Sequence, residues 1–188
     1  MKTYDGSDRF LVLTGMPGAR KSDLAHEIAR RTCWPIVRLS ETVEAFAMAS
    51  GLPATPEGLR LAAERIRSER GAQAVVELAV LGRTGTLILD GLRSTNELEF
   101  LRRAPRRVFA AGVHASEMVR HERMARNSGP ELADREALME LDEHNRALGV
   151  GTLLTHCDVI VMGSASEEAI RHAAGVVLER AMAFFAEK

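Results

Sequence analysis

Gly15-Met16-Pro17-Gly18-Ala19-Arg20-Lys21-Ser22 decides the reading of this chain. The apolar run Phe10-Leu11-Val12-Leu13 precedes it and a helical run from Ser22 to Arg31 follows, so its setting is strand, turn, helix. Glycine, four residues, a sixth position and then Lys-Ser is the spacing of the Walker A phosphate loop; its sixth position is ordinarily a second glycine and is Arg20 here. Such a loop works because successive backbone N–H groups curl round an anion while the following helix adds its positive N-terminal end. Gly15, Met16, Pro17, Gly18, Ala19, Arg20, Lys21 and Ser22 are therefore the expected cofactor-binding residues, with Lys21 on the terminal phosphates and the Ser22 hydroxyl on Mg²⁺. Glycine lets the backbone approach an anion with no Cβ in the way. Arg20 leaves two outcomes: an outward side chain with the loop intact and its affinity altered, or a loop that takes a smaller anion or no nucleotide.

Outward from the loop, strands alternate with helices. Residues 1–8 read as a disordered or tag-like lead, and 9–14 as a first strand whose unbroken apolar run suits burial on both faces of a parallel sheet. Further strands are expected at 35–39, 86–90, 107–113 and 158–162. Helices are expected at 41–50 with Ser40 as cap, at 56–82 with an interruption at Gly71, at 95–103 capped by Ser94, from about 116, at 131–147 and at 165–187. Asn127-Ser128-Gly129-Pro130 reads as a break between two of these. The alternation predicts a mostly parallel sheet with right-handed crossovers.

Two further stretches carry chemistry. Asp90-Gly91-Leu92-Arg93-Ser94 ends the third strand, where open α/β sheets place ligands. An acid there can hold Mg²⁺ through water, and Arg93 can hold a substrate phosphate bidentately. Arg120, Arg123 and Arg126 share roughly one helix face; they fit the need to neutralise charge on a transferring phosphoryl group, or else form a solvated basic face. His156-Cys157-Asp158 points in alternating directions and makes a poor metal set, and Cys33 and Cys157 read as free thiols. Trp34 reads as a core residue.

Composition sets bounds. A chain of 188 residues with 46% hydrophobic and 27% charged residues can bury a proper core. A formal net charge of −1 argues against nucleic acid and anionic membranes as partners. No apolar run reaches a membrane span and the N-terminus lacks a signal-peptide core, so a cytoplasmic protein is expected. The only lysine away from the chain ends is Lys21.

Together these residues resemble the P-loop nucleoside-monophosphate-kinase-like proteins, and within them the archaeal-type predicted nucleotide kinases related to dephospho-CoA kinase. The resemblance runs over about 10–165 and rests on Thr14 to Gly18 with Lys21-Ser22, Gly51-Leu52 before the helix with Leu59 and Arg67, Asp90 to Ser94, Val113 to Ser116, and Gly149-Val150-Gly151 leading to Asp158-Val159-Ile160. It implies a three-layer P-loop NTPase fold with a five-stranded parallel sheet flanked by helices, in one domain over 1–188. It also implies an acceptor-binding helical section at about 40–83, a lid at about 120–148, and ATP with Mg²⁺ as donor and cofactor. Lys21, Arg93, Arg120, Arg123 and Arg126 would be catalytic, Ser22 and Asp90 would hold the metal, and Glu41, Arg67, Asp90 and Arg93 would meet the acceptor. The chain departs from the family pattern at Arg20, at Ser40-Glu41 where relatives carry Asp, at Leu141 and His144 where relatives have Arg beside Asp142, and at Met162 where Asn is common.

The expected function is a kinase, a transferase moving the γ-phosphate of ATP to a nucleotide-like small molecule such as a nucleoside monophosphate or dephospho-CoA. The alternatives are a catalytically weak nucleotide-binding or regulatory protein that keeps the kinase fold, and an ATPase domain acting on a macromolecule. Val176, Val177, Ala181, Phe184 and Phe185 give the last helix enough apolar surface for a homodimer contact, with covering the sheet as the simpler use.

Overall fold

The computed structural model describes residues 8–103, 105–127, 135–163 and 166–187. Residues 1–7 of the lead expected at 1–8, the break at 128–130 and the first residues of the helix expected from 131 lie outside these; Asp8, by contrast, is buried and its Oδ1 accepts from the Gly85 amide at 2.7 Å. Five strands form one sheet: β1 (Arg9–Thr14), β2 (Ile36–Arg38), β3 (Thr86–Leu92), β4 (Arg107–His114) and β5 (Val159–Met162). Their order is β2-β3-β1-β4-β5 and every pairing is parallel. Nine helices among the described residues connect them: α1 (Lys21–Thr32), α2 (Leu39–Ala49), α3 (Pro56–Arg70), α4 (Ala74–Val80), α5 (Thr95–Arg103), α6 (Glu117–Asn127), α7 (Arg135–Leu148), α8 (Val150–Leu154) and α9 (Glu167–Ala186).

Strand β1 is central and sets the layers. Its side chains alternate across the sheet. Phe10 and Val12 pack with α2, α3, α4 and α5, while Leu11 and Leu13 pack with α1 and α9. Both faces are therefore apolar, which is why the run is continuous rather than alternating. Val177, Ala181 and Phe185 of α9 are buried against this second face, with Trp34 edge-on to Phe185 at 6.2 Å. The apolar surface of α9 thus covers the sheet of its own chain. Cys33 and Cys157 are free thiols.

Three boundaries differ from the sequence expectation, each for a local reason. Helix α2 starts at Leu39, with Arg38 in the cap position and no side-chain cap bond, so Ser40 lies inside the first turn. Strand β3 runs on to Leu92: the register slips there, Leu13 facing Asp90 and Thr14 facing Leu92, and Gly91 (φ 105°) is the extra residue. Thr14 Oγ1 donates to Leu92 O at 2.8 Å and fixes the slip. The short helix α8 follows Gly149 (φ 101°) and was not expected from the pattern.

The sheet order places a switch point at β1. The chain leaves β1 towards β2 and β3 on one side and returns to β4 on the other, opening a crevice at the carboxyl ends of the strands. The loop after β1, Asp90 on β3 and the start of α6 after β4 all lie at that end.

Candidate functional site

The loop Gly15–Ser22 is held from both sides. At Gly15 the chain passes so close to β4 that a Cβ would stand 2.2 Å from the Val113 carbonyl oxygen. The Ala19 amide donates to Met16 O at 3.2 Å, closing the turn, and Lys21 Nζ donates to the same carbonyl at 3.1 Å. Gly18 faces the backbone of α6, where a Cβ would lie 2.9 Å from Arg120 O. On the other rim, a Cβ at Gly163 would stand 2.1 Å from Ala19 O.

Arg20 caps α1 in the left-handed region, with φ 67°. That backbone state explains the usual glycine at this position. The side chain leaves the loop on its outer side: Nε donates to Asp23 Oδ2 at 2.7 Å and Nη2 to Glu167 Oε1 at 2.6 Å. Both acids sit in the first turns of helices, α1 and α9.

Ser22 Oγ donates to Asp90 Oδ2 at 2.7 Å, so the two residues expected to hold the metal are in contact. The β1–β3 register, Leu13 opposite Asp90, brings them together. A hard cation takes a few protein oxygens and keeps several waters. One hydroxyl and one carboxylate beside an anion-binding loop fit Mg²⁺ held mainly by phosphate and water. No cluster of three His, Cys, Asp or Glu suited to a metal occurs among the described residues. Asp158, within the stretch examined as a metal set, accepts instead from the Ala110 amide and from Arg102.

Lys21 and Ser22 open onto a cleft of about 1000 Å³. Its walls are Leu39, Ser40 and Val43 of α2, Leu59, Arg60, Ala63 and Arg67 of α3, and Leu141, His144 and Leu148 of α7. Arg38, Arg60, Arg67 and Arg93 line it together with the acids Glu57, Asp90, Glu97 and Glu140. Burial holds the Lys21 ammonium down at about 8; Asp90 opposes this, while Arg93 and Arg120 add to it. Burial and then the neighbouring Arg67 lower Arg93. Burial, then Arg93, keeps His144 below its ordinary range. A crowd of desolvated cations of this kind is relieved by an anion.

Several expected site residues stand apart from the cleft. Glu41 does not line it; this exposed side chain lies 3.4 Å from Arg38 Nη1. Because α2 begins at Leu39, Leu39 and Val43 share the cleft face and a step of two residues turns Glu41 about 200° away from Leu39. Arg120, Arg123 and Arg126 also do not line it. Each three-residue step leaves a drift of about 60°, which separates them round the helix. Arg120 is buried, paired through Nη1 and Nη2 with the two Asp142 oxygens at 2.7 and 2.6 Å, and its Nη1 also donates to Pro17 O at 3.0 Å. Arg123 Nη1 donates to Gly18 O at 3.2 Å. Arg126 is exposed and pairs with Glu122 on its own helix. The helix therefore braces the back of the loop through carbonyl oxygens.

Other cleft residues escaped the sequence reading. Glu97 is 1% exposed, and its Oε2 accepts from the amides of Arg93 at 2.7 Å and Ser94 at 3.2 Å. The Glu97 amide in turn donates to Ser94 Oγ at 3.3 Å. That is a capping box, and the spacing Ser94-x-x-Glu97 was its available signal. Burial raises the Glu97 carboxyl above its usual range, while Arg67 Nη2 at 4.0 Å favours its charge. Arg60 and Arg38 carried no signal beyond their type.

No family model matches the chain. It is 36% identical over 163 residues to the UPF0200 protein of Aeropyrum pernix, spanning 84% of this chain and 86% of that one. It is 31% identical over 163 residues to the UPF0200 protein of Methanocaldococcus jannaschii, with 83% and 82% covered. Among solved structures it is similar to shikimate kinase from Acinetobacter baumannii in complex with shikimate (TM-score 0.60, 14% identity, 96% of each chain). It is also similar to shikimate kinase from Bacteroides thetaiotaomicron (0.59, 20%, 91% and 97%) and to a gluconokinase from Sinorhizobium meliloti (0.55, 19%, 99% and 100%). The sheet and its flanking helices are thus those of the P-loop kinase fold.

Proposed function

The chain belongs to the UPF0200 family, and we propose that it is an ATP- and Mg²⁺-dependent kinase acting on an anionic, nucleotide-like small molecule. The observation that carries this reading is the contact of Ser22 with Asp90 beside Lys21, at the mouth of a cleft lined by four arginines. A nucleoside monophosphate or dephospho-CoA fits such a cleft by chemistry: a phosphate for the arginines, and a larger body for Leu39, Val43, Leu59 and Leu148. The section at 40–83 then serves as the acceptor section and α7 as the inner wall of the lid. The solved proteins of similar fold include a shikimate kinase in complex with shikimate and a gluconokinase.

Mg-ATP supplies the phosphoryl group and a divalent charge. The chain's own part is positioning and charge neutralisation. The loop amides from Gly15 to Ser22 and the N-terminus of α1 cradle the donor phosphates. Lys21 reaches from the loop towards the cleft, where donor and acceptor meet. Arg93 and Arg67 hold the acceptor anion, and Glu97 fixes the backbone from which Arg93 projects. Arg120 and Arg123 keep the loop in shape from behind.

The test is ADP formation from Mg-ATP with nucleoside monophosphates and dephospho-CoA, read beside Lys21→Ala. Acceptor-dependent ADP that Lys21→Ala abolishes supports the kinase. Intact Mg-ATP binding without ADP formation across the set would leave the non-catalytic binder as the better account.

A further inference from the structure

Helix α7 carries the partners of two arginines that serve opposite ends of the site. Asn145 Oδ1 accepts from Arg93 Nη1 at 2.9 Å, on the cleft side. Three residues earlier, Asp142 takes the Arg120 guanidinium through both oxygens. Both α7 side chains are buried, 2% and 1% exposed. Asn145 is itself fixed, its Nδ2 donating to Leu141 O at 2.7 Å, so its oxygen is the atom left for Arg93. Arg120 in turn reaches Pro17 O in the phosphate loop. The connections run from Arg93 through Asn145, α7, Asp142 and Arg120 to Pro17.

The two ends differ in what holds them. Asp142 has several partners: Arg120 from α6, His121 Nε2 at 3.1 Å from the same helix, and Arg146 Nη2 at 3.8 Å from its own. Burial works against its charge, but Arg120 and His121 together hold the carboxyl below its ordinary range. A pair this buried does not let go cheaply, since removing one partner leaves the other charge without compensation. Arg93, by contrast, is held by a neutral amide and is near a second cation, Arg67. It is the end an incoming anion can draw on. Leu141 and His144 of the same helix form part of the cleft wall, so α7 also meets any occupant directly.

We propose that Asp142 and Asn145 are positioning residues that make α7 a two-ended clamp, coupling occupation of the cleft to the conformation of the phosphate loop. The inference rests on the kinase reading only for what the two ends bind. Mere adjacency of side chains does not establish coupling; non-additivity between the two ends does.

Hydrogen exchange of the unliganded protein over Gly15–Ser22 tests this, with Mg-ATP affinity as a second readout. Asn145 has no hydrogen bond to the loop. Even so, Asn145→Ala should speed loop exchange about threefold or more, beyond any change at α9, while the lost buried hydrogen bonds lower the melting temperature modestly. Asn145→Asp, which still accepts from Arg93 but cannot donate to Leu141 O, should restore part of it. Asp142→Asn should have the larger effect, and the double variant should match Asp142→Asn alone. If Asp142→Asn does not fold, the loss in Asn145→Ala and its rescue in Asn145→Asp decide the matter. Unchanged loop exchange in Asn145→Ala, or effects that multiply in the double variant, would overturn the clamp. Wild type that shows the exchange coupling but no Mg-ATP affinity would sink the kinase reading and leave the clamp standing.

Discussion

Arg20→Gly is the variant whose outcome follows most directly from the geometry. Three contributions change. A non-glycine residue held in the left-handed region costs about 1–2 kcal/mol, and glycine removes that cost. Against it stand two lost ion pairs, with Asp23 51% and Glu167 72% exposed on their side chains, so water screens both. Pairs of that exposure contribute roughly 0–1 kcal/mol each. Glycine also enlarges the unfolded ensemble by about 0.4–1 kcal/mol. These nearly cancel, so the expected net change is within about 1 kcal/mol, a shift of roughly 2–4 °C in melting temperature for a chain of this size. Since the Arg20 side chain leaves on the outer side of the loop, Mg-ATP affinity should stay within about fivefold, that change being worth some 1 kcal/mol. Arg20→Ala, which loses the pairs and keeps the backbone cost, should be the worse variant in both assays. Thermal melts and titration calorimetry on the two variants read this out. Abolished Mg-ATP binding in Arg20→Gly would refute the outward-facing assignment, because the guanidinium would then be a working cation. So would binding that appears only in Arg20→Gly, because the side chain would then be an obstruction.

Three other expectations come from neighbouring features. With Lys21 held at about 8 against an ordinary 10.5, polyphosphate affinity should fall as pH rises from 7 to 9, approaching tenfold per unit above 8; calorimetry across that range checks it, and a flat profile contradicts it. The sign for the unliganded chain is the opposite: between about 8 and 10.5 the unfolded state binds more protons at this lysine, so its contribution to stability rises with pH. Gly163→Ala forces a Cβ into the Ala19 carbonyl, and denaturant melts should show a loss of about 1–3 kcal/mol with weakened Mg-ATP binding; wild-type behaviour would mean the loop rim gives freely. Glu97→Ala leaves two amide donors without their acceptor and should cost about 1–3 kcal/mol, with Glu97→Gln recovering more than half; equal losses in the two variants would show that charge, and not hydrogen-bond acceptance, is what matters there.

The fold was legible where one local cause decides the structure. Phe10-Leu11-Val12-Leu13 is apolar at every position because each face meets its own helical layer. The Lys-Ser after Gly15 read as a phosphate loop because its function depends on backbone path and helix start, both local. Asp90 could be set towards the carboxyl end of the third strand because Thr86-Leu87-Ile88-Leu89 reads as a buried run that leads to it. The misses share a different cause. Whether Glu41 or Arg38 faces the cleft depends on the phase of α2, and that phase is set by a start two residues earlier than the Ser40 cap signal suggested. The common face assigned to Arg120, Arg123 and Arg126 dissolved because Asp142, distant in sequence, claims Arg120 alone. Gly91 hid the extension of β3, since a bulge looks like a turn when only its glycine is visible. Arg20 could be read either way from sequence because backbone conformation and the reach to Glu167, on the last helix, are tertiary facts.

Calorimetric titration of wild type and Lys21→Ala with Mg-ATP puts the central claim to the most direct test. The geometry of Lys21, Ser22 and Asp90 predicts saturable one-site binding by wild type, lost with Lys21→Ala while the melting curve of the unliganded protein stays cooperative. No heat from wild type at millimolar ATP, or equal binding by the two proteins, would contradict it.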